Sequence, residues 1–317
     1  MSQLPALVVQ VMLPVSLLVA AGAFWPQFFR DSSPDILRSQ LNRLVMYVFY
    51  PSILFAVAAV TPVTTDLMLV PLLVGCASMV SGVILYGLLY HSPLGTGISR
   101  PARAALMLGG MIGNTFNIGV PVLVFFYGQD AIRYAVYNDM LMTMPIVWSV
   151  GVWIATRLGS SGIQAGKPRV LRVMLSMPPI WAFLAGMACQ YSGLAYPPLV
   201  HAAQMIGQAA IPVILFVLGM TIPWRNLAPR REILVTTGVK LLLTPVIVWL
   251  IAGLFPGDRA EAQYAAVVEG STPAMMTVLL IADRFRLDSA AAALLIGWST
   301  ILFWFTLPVL MTAGLIR

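Results

Sequence analysis

Charged side chains are what this sequence has least of. Asp, Glu, Lys and Arg make up 9% of its 317 residues, against 60% apolar residues. A soluble chain of this length could not hide that much apolar surface, so the composition points to an integral membrane protein. Cysteine is almost absent, and Cys76 and Cys189 both lie inside apolar runs. That excludes a disulfide framework and fits reduced packing residues. The two histidines, His91 and His201, have no partner at metal-ligand spacing, so neither a metal nor a cofactor is expected. The sequence has no His-Glu-x-x-His, no Gly-x-Ser-x-Gly and no paired Asp motif of the diphosphate-binding kind. An intramembrane enzyme is therefore not expected. No basic segment precedes the first apolar run, so no cleaved signal peptide is expected either. The formal charge of +7 is spread through short gaps and forms no basic patch, which argues against a nucleic-acid partner.

What is present is a succession of ten apolar spans, with membrane lipids as their surroundings. The polar connections after spans one, three, five, seven and nine carry fourteen Arg and Lys, from Arg30 to Arg286. The other side carries three, Arg133, Arg259 and Arg317. This bias predicts a plasma (inner) membrane protein with both termini on the non-cytoplasmic side. Lys240 is left inside span eight.

The halves repeat. Pro51 in span two and Pro212 in span seven are 161 residues apart, in matching contexts. Gly113-Asn114-Thr115 and Gly270-Ser271-Thr272 are 157 apart, and Pro145 and Pro308 are 163 apart. The expected fold is all-α, ten transmembrane helices in two five-helix repeats. These are residues 1–158, a cytoplasmic connection at 159–172, and 173–317. An odd number of spans per repeat makes the second repeat inverted, which is a transporter architecture.

Span four lies in an apolar run from Ala104 to Gln129 that contains no Asp, Glu, Lys, Arg or His. Its centre, Gly113-Asn114-Thr115-Phe116-Asn117-Ile118-Gly119-Val120-Pro121, is loaded with helix-breaking and polar residues. Irregular backbone at membrane depth survives where it is buried in protein or lines a cavity. A broken span, matched by a break near Pro273 in span nine, predicts a substrate site where half-helix N-termini face an anion. Asn114, Thr115, Asn117 and Pro121 belong to it from span four, and Ser271, Thr272 and Pro273 from span nine. The alternative reading is that these groups only repair the backbone around the prolines or join helices.

Glu269, Asp139 and Lys240 are ionisable residues inside spans, where charge is costly. A Glu that takes up and releases a proton beside the break would couple transport to the proton gradient. The alternative is a structural Glu–Lys or Asp–Lys pair. Gln204 and Gln208 share a helix face in span seven, and Tyr47 aligns with Gln208 under the 161 offset. Cavity lining and plain interhelical hydrogen bonding both remain open for Gln208 and Tyr47.

The stretch from Gly113 to Pro121 resembles the auxin efflux carrier family, whose bacterial members include malonate and malate permeases. So do Phe125-Phe126-Tyr127-Gly128-Gln129-Asp130-Ala131-Ile132, Asn138-Asp139, Lys240-Leu241, Glu269-Gly270-Ser271-Thr272-Pro273-Ala274 and Leu307-Pro308. The resemblance covers nearly the whole chain. It implies ten helices with spans four and nine crossing at their breaks, a scaffold beside them, a homodimer, and transport of a small organic anion such as malonate, malate or an auxin-like carboxylate. The large cytoplasmic loop of the plant members has no counterpart here. The function expected is secondary active transport by alternating access, coupled to protons. The alternatives are sodium coupling, as in the similarly folded bile-acid symporters, or a passive anion channel or sensor.

Overall fold

A computed structural model describes residues 3–29, 33–159, 175–255 and 260–316. Arg30, Lys167, Arg169, Arg172, Arg259, Arg317 and the connection beyond Gly159 fall outside the described residues. Within them every regular element is helical. The helices are α1 (Leu4–Phe28), α2 (Pro34–Val60), α3 (Thr65–Tyr90), α4 (Arg100–Met111), α5 (Thr115–Tyr127) and α6 (Gln129–Gly159). Then come α7 (Pro178–Ser192), α8 (Pro197–Thr221), α9 (Arg231–Ala252), α10 (Ala260–Ser271), α11 (Thr277–Arg284) and α12 (Ser289–Thr312).

Seven of these helices, α1, α2, α3, α6, α8, α9 and α12, are long and apolar enough to cross a membrane. Expected span six is α7, a helix of 15 residues. Expected spans four and nine are each two shorter helices, α4 with α5 and α10 with α11, interrupted at 112–114 and 272–276.

Contacts divide the chain into two compact units. One holds α1, α2, α7 and α8. Here α1 and α8 touch backbone to backbone through glycines: a Cβ added at Gly22 would run into the carbonyl of Phe216, and one at Gly219 into that of Val19. The other unit holds α3–α6 and α9–α12, and its core is lined by Leu73, Leu85, Leu108, Leu295 and Phe303, each fully buried.

Five helices contain a widened turn of i→i+5 type: Val8–Met12, Val45–Phe49, Thr115–Gly119, Asp139–Thr143 and Val239–Leu243. Each of these five is followed by one residue and then a proline, Pro14, Pro51, Pro121, Pro145 or Pro245, whereas two further widened turns of α6, Val147–Gly151 and Ala155–Gly159, are not. A helical proline ring collides with the carbonyl four residues back. Inserting an extra residue in the preceding turn moves that carbonyl away. Asp139 and Lys240 both lie in such turns.

Candidate functional site

The two interruptions lie in one unit and meet. The amide of Asn114 donates to the carbonyl of Pro273 at 2.7 Å, and the amide of Met275 donates to the carbonyl of Ile112 at 3.2 Å. They form an isolated antiparallel bridge centred on Gly113 and Ala274. Each gap thus satisfies backbone groups freed in the other, as an apolar surround requires. The amide of Ala274 donates to Ser299 Oγ on α12 at 3.0 Å, and that hydroxyl donates to the carbonyl of Ile296. Gly113 has no room for a side chain, since a Cβ would meet Thr272 Oγ1 and stand 3.0 Å from Lys240 Nζ. Both downstream half-helices, α5 and α11, begin at the gaps, so their positive dipole ends lie there.

Around this bridge the site is almost wholly buried. Asn114, Thr115, Asp139 and Glu269 are each at most 1% exposed, and Asn117 is 9% exposed. Asn117 Nδ2 donates to Asn114 Oδ1 at 2.7 Å. That leaves Asn114 Nδ2 and Asn117 Oδ1 buried without a hydrogen-bond partner. Thr115 Oγ1 lies 3.4 Å from both Asp139 Oδ1 and Thr143 Oγ1, long for a hydroxyl bond. Pro121 lies one turn further along α5, after the widened turn that carries Thr115 and Asn117.

Glu269 stands in the last turn of α10, at the negative end of its dipole, where an acid is disfavoured. Asn138 compensates, donating through Nδ2 to Glu269 Oε2 at 2.9 Å. Glu269 Oε1 has no hydrogen-bond partner and sits against Gly119, where a Cβ would be 2.5 Å away. Lys240, 2% exposed, donates to the carbonyl of Gly270 at 2.7 Å. It thereby caps the C-terminal end of α10, where a cation is favoured.

Ser271 and Thr272 donate to the carbonyls of Val268 and Glu269, both at 2.8 Å. They repair the frayed end of α10 and keep only acceptor capacity for anything else. Gly270 and Ser271 are still helical whereas Gly113 and Asn114 lie in a gap, so the Gly113–Gly270 match does not mark where the breaks face. The bridge pairs residues 161 apart, not 157. Tyr47 and Gln208 belong to the other unit, on α2 and α8; both are exposed there, Tyr47 at 65%.

Asn138, Thr143 and Ser299 were not singled out as site residues from the sequence. Thr143 is one turn after Asp139, and Ser299 is 161 residues after Asn138, so the helical period and the repeat offset were the available signals.

The membrane transport protein family model matches residues 7–311. The chain is 28% identical over 278 residues to an uncharacterized transporter of Methanothermobacter thermautotrophicus, covering 85% of this chain and 87% of that one. It is 24% identical over 299 residues to an uncharacterized transporter of Methanocaldococcus jannaschii, covering 88% and 89%. A Rhizobium meliloti protein named "Putative malonate transporter" is 24% identical over 285 residues, 81% of each chain. With a buried meeting of two helix breaks inside a multi-pass apolar chain, and a match along almost its whole length, this protein belongs to the membrane transport protein family, that of the auxin efflux carriers.

Proposed function

We propose that the protein is a secondary active transporter of a small organic anion, whose carboxylate is held where the two helix interruptions meet. The observation that carries this reading is Asn114 Nδ2, a buried donor without a partner at the start of α5. Such an orphan costs about 1–3 kcal/mol, and a carboxylate oxygen arriving at a helix N-terminus relieves it. Asn114, Thr115, Asn117, Pro121, Ser271, Thr272 and Pro273 form or shape this site. The name of the Rhizobium relative favours malonate as the first guest to test.

Charge counting supports proton coupling. Among the described residues the buried Asp, Glu, Lys and Arg side chains are Asp139, Lys240 and Glu269, formally two negative and one positive. An anionic guest makes the excess worse, and uncompensated buried charge is costly. A cation must therefore travel with the guest, and Glu269, with one oxygen unpartnered, is the proton acceptor. Sodium coupling is the second reading, favoured by the acceptor oxygens without donors: Glu269 Oε1, Asn138 Oδ1 and Asn117 Oδ1.

The architecture proposed is ten passages in two inverted five-helix repeats, 1–158 and 173–317, crossing at passages four and nine. Residues on a two-fold axis touch their own equivalents, at a separation equal to the repeat offset. Gly113 and Ala274 are 161 apart and bridge; Ser81 and Thr244 are 163 apart and hydrogen-bond at 2.8 Å. Both separations fall within the offsets of the proline matches. A homodimer in the plasma (inner) membrane, both termini outside the cytoplasm, completes the proposal.

The test is uptake of radiolabelled malonate and malate into proteoliposomes under an imposed pH gradient. Saturable uptake, stimulated by an acidic exterior and unchanged when choline replaces sodium, is the expected result. Dependence on sodium moves the reading to the second one. Large ohmic currents without counterflow would mean a channel.

A further inference from the structure

Two of the helices that carry buried polar groups of the site, α6 and α10, are joined a second time, at one end. Glu261, in the first turn of α10, accepts on the single oxygen Oε1 from Arg133 Nη2 at 3.1 Å and from Tyr134 OH at 3.0 Å. Arg133 Nη2 also lies 3.3 Å from Tyr134 OH, and its guanidinium stacks 5.0 Å over the Tyr134 ring. Each of the three groups therefore contacts the other two. Tyr127, the last residue of α5, is within electrostatic reach of Glu261, Tyr134 and Tyr264. On its far side the start of α10 is held by Gln263, whose Nε2 donates to the carbonyls of Ala252 and Phe255.

This cluster sits close above the site along the same helices. Arg133 is five residues before Asn138 on α6, about 7.5 Å of helix, and Glu261 is eight before Glu269 on α10, about 12 Å. Thus α6 and α10 are joined twice, at Arg133–Glu261 and at Asn138–Glu269. The second joint is buried. The first is not: the Arg133 and Glu261 side chains are 37% and 49% exposed. Exposed pairs are individually weak, which suits a contact that must break and re-form in each cycle. On α10 the buried positions next to the triangle are small, Ala262, Ala265 and Ala266, while Tyr134 of α6 is itself buried at 4% exposure.

We infer that Arg133, Tyr134 and Glu261 form a clasp that holds the α10 half-helix against α6 and closes one end of the site, and that it opens during the transport cycle. This rests on the reading that guests reach the helix breaks by movement of these half-helices. An acid in the first turn of a helix would also be expected merely to complement the dipole. That role predicts no effect of Arg133 or Tyr134 on access to the site.

The test needs no guest. In a background with Cys76 and Cys189 replaced by serine, Ala265→Cys places a thiol at a buried position of α10 between the clasp and Glu269. Its labelling by a membrane-impermeant maleimide reports opening. Adding Glu261→Gln or Tyr134→Phe should accelerate labelling several-fold, roughly fivefold for a contact of this class. The charge exchange Arg133→Glu with Glu261→Arg should return it towards the starting rate. Hydrogen exchange of the amides of residues 262–268, in protein without the added cysteine, should follow the same order. Equal labelling and exchange in all variants, or a charge exchange no slower than the single changes, would overturn the clasp. Failure of malonate to bind or move would count against the proposed function and leave this result standing.

Discussion

Asn114 and Pro273 lie 159 residues apart in sequence, yet the amide of the first donates to the carbonyl of the second at 2.7 Å. The second bond of the same bridge runs from the amide of Met275 to the carbonyl of Ile112. The result is a two-bond splice between interrupted helices, with the backbone satisfied and the Asn114 side-chain amide left over. That surplus donor makes the splice a place to hold an anion as well as a repair.

Asn114→Ala is expected to weaken malonate binding about 10- to 100-fold, the loss of one hydrogen bond to a charged group at roughly 1.5–3 kcal/mol. The backbone bonds of residue 114 do not involve its side chain, and the substitution removes one orphaned donor, Asn114 Nδ2, while orphaning another, Asn117 Nδ2, so the fold should survive with at most a modest loss of stability. Ligand-induced thermal stabilisation of the purified variant measures this. Undiminished stabilisation removes Asn114 from the site.

Glu269→Gln fixes this side chain in a neutral form while keeping an acceptor for Asn138. If Glu269 loads the coupling proton, wild-type uptake falls as external pH rises, because the loaded form becomes scarce. The variant should show a flat profile and no stimulation by a pH gradient, while retaining exchange of labelled for unlabelled malonate. A wild-type profile in the variant assigns the proton elsewhere.

Lys240→Met removes the one buried cation among the described residues and leaves the carbonyl of Gly270 without its donor. The expected cost is about 3–5 kcal/mol, as for breaking a buried charge arrangement from one side. The double variant with Glu269→Gln should recover part of that loss, since it also removes one of the two negative charges. Melting temperatures of the four proteins of the cycle measure the coupling. Additive losses would show that the two groups do not share an electrostatic balance.

The break in span four was legible because Gly113, Asn114 and Pro121 interrupt an apolar run with residues that weaken a helix for reasons local to each. The break near Pro273 was legible in the same way. What met what was not legible: Gly113 and Gly270 match by residue type at 157, but the backbone pairs Gly113 with Ala274, because register in a bridge is set by geometry and not by residue likeness. Lys240 was legible as a cation inside a span, but its bond to a helix-end carbonyl was not, because that acceptor has no sequence signature. The widened turns were not read from the sequence, although a proline two residues beyond each would have marked five of them. Tyr47 was linked to Gln208 by repeat alignment, which carries no information about which faces turn toward a site.

The glycine contacts between α1 and α8 have a consequence for how that unit behaves as a machine part. Gly22 rests on the carbonyl of Phe216 and Gly219 on that of Val19, a reciprocal seating in which neither rod can slide, roll or thicken without lifting off the other. Any tilt of α1 must drag α8 with it, so the pair should behave in motion as one beam of double width.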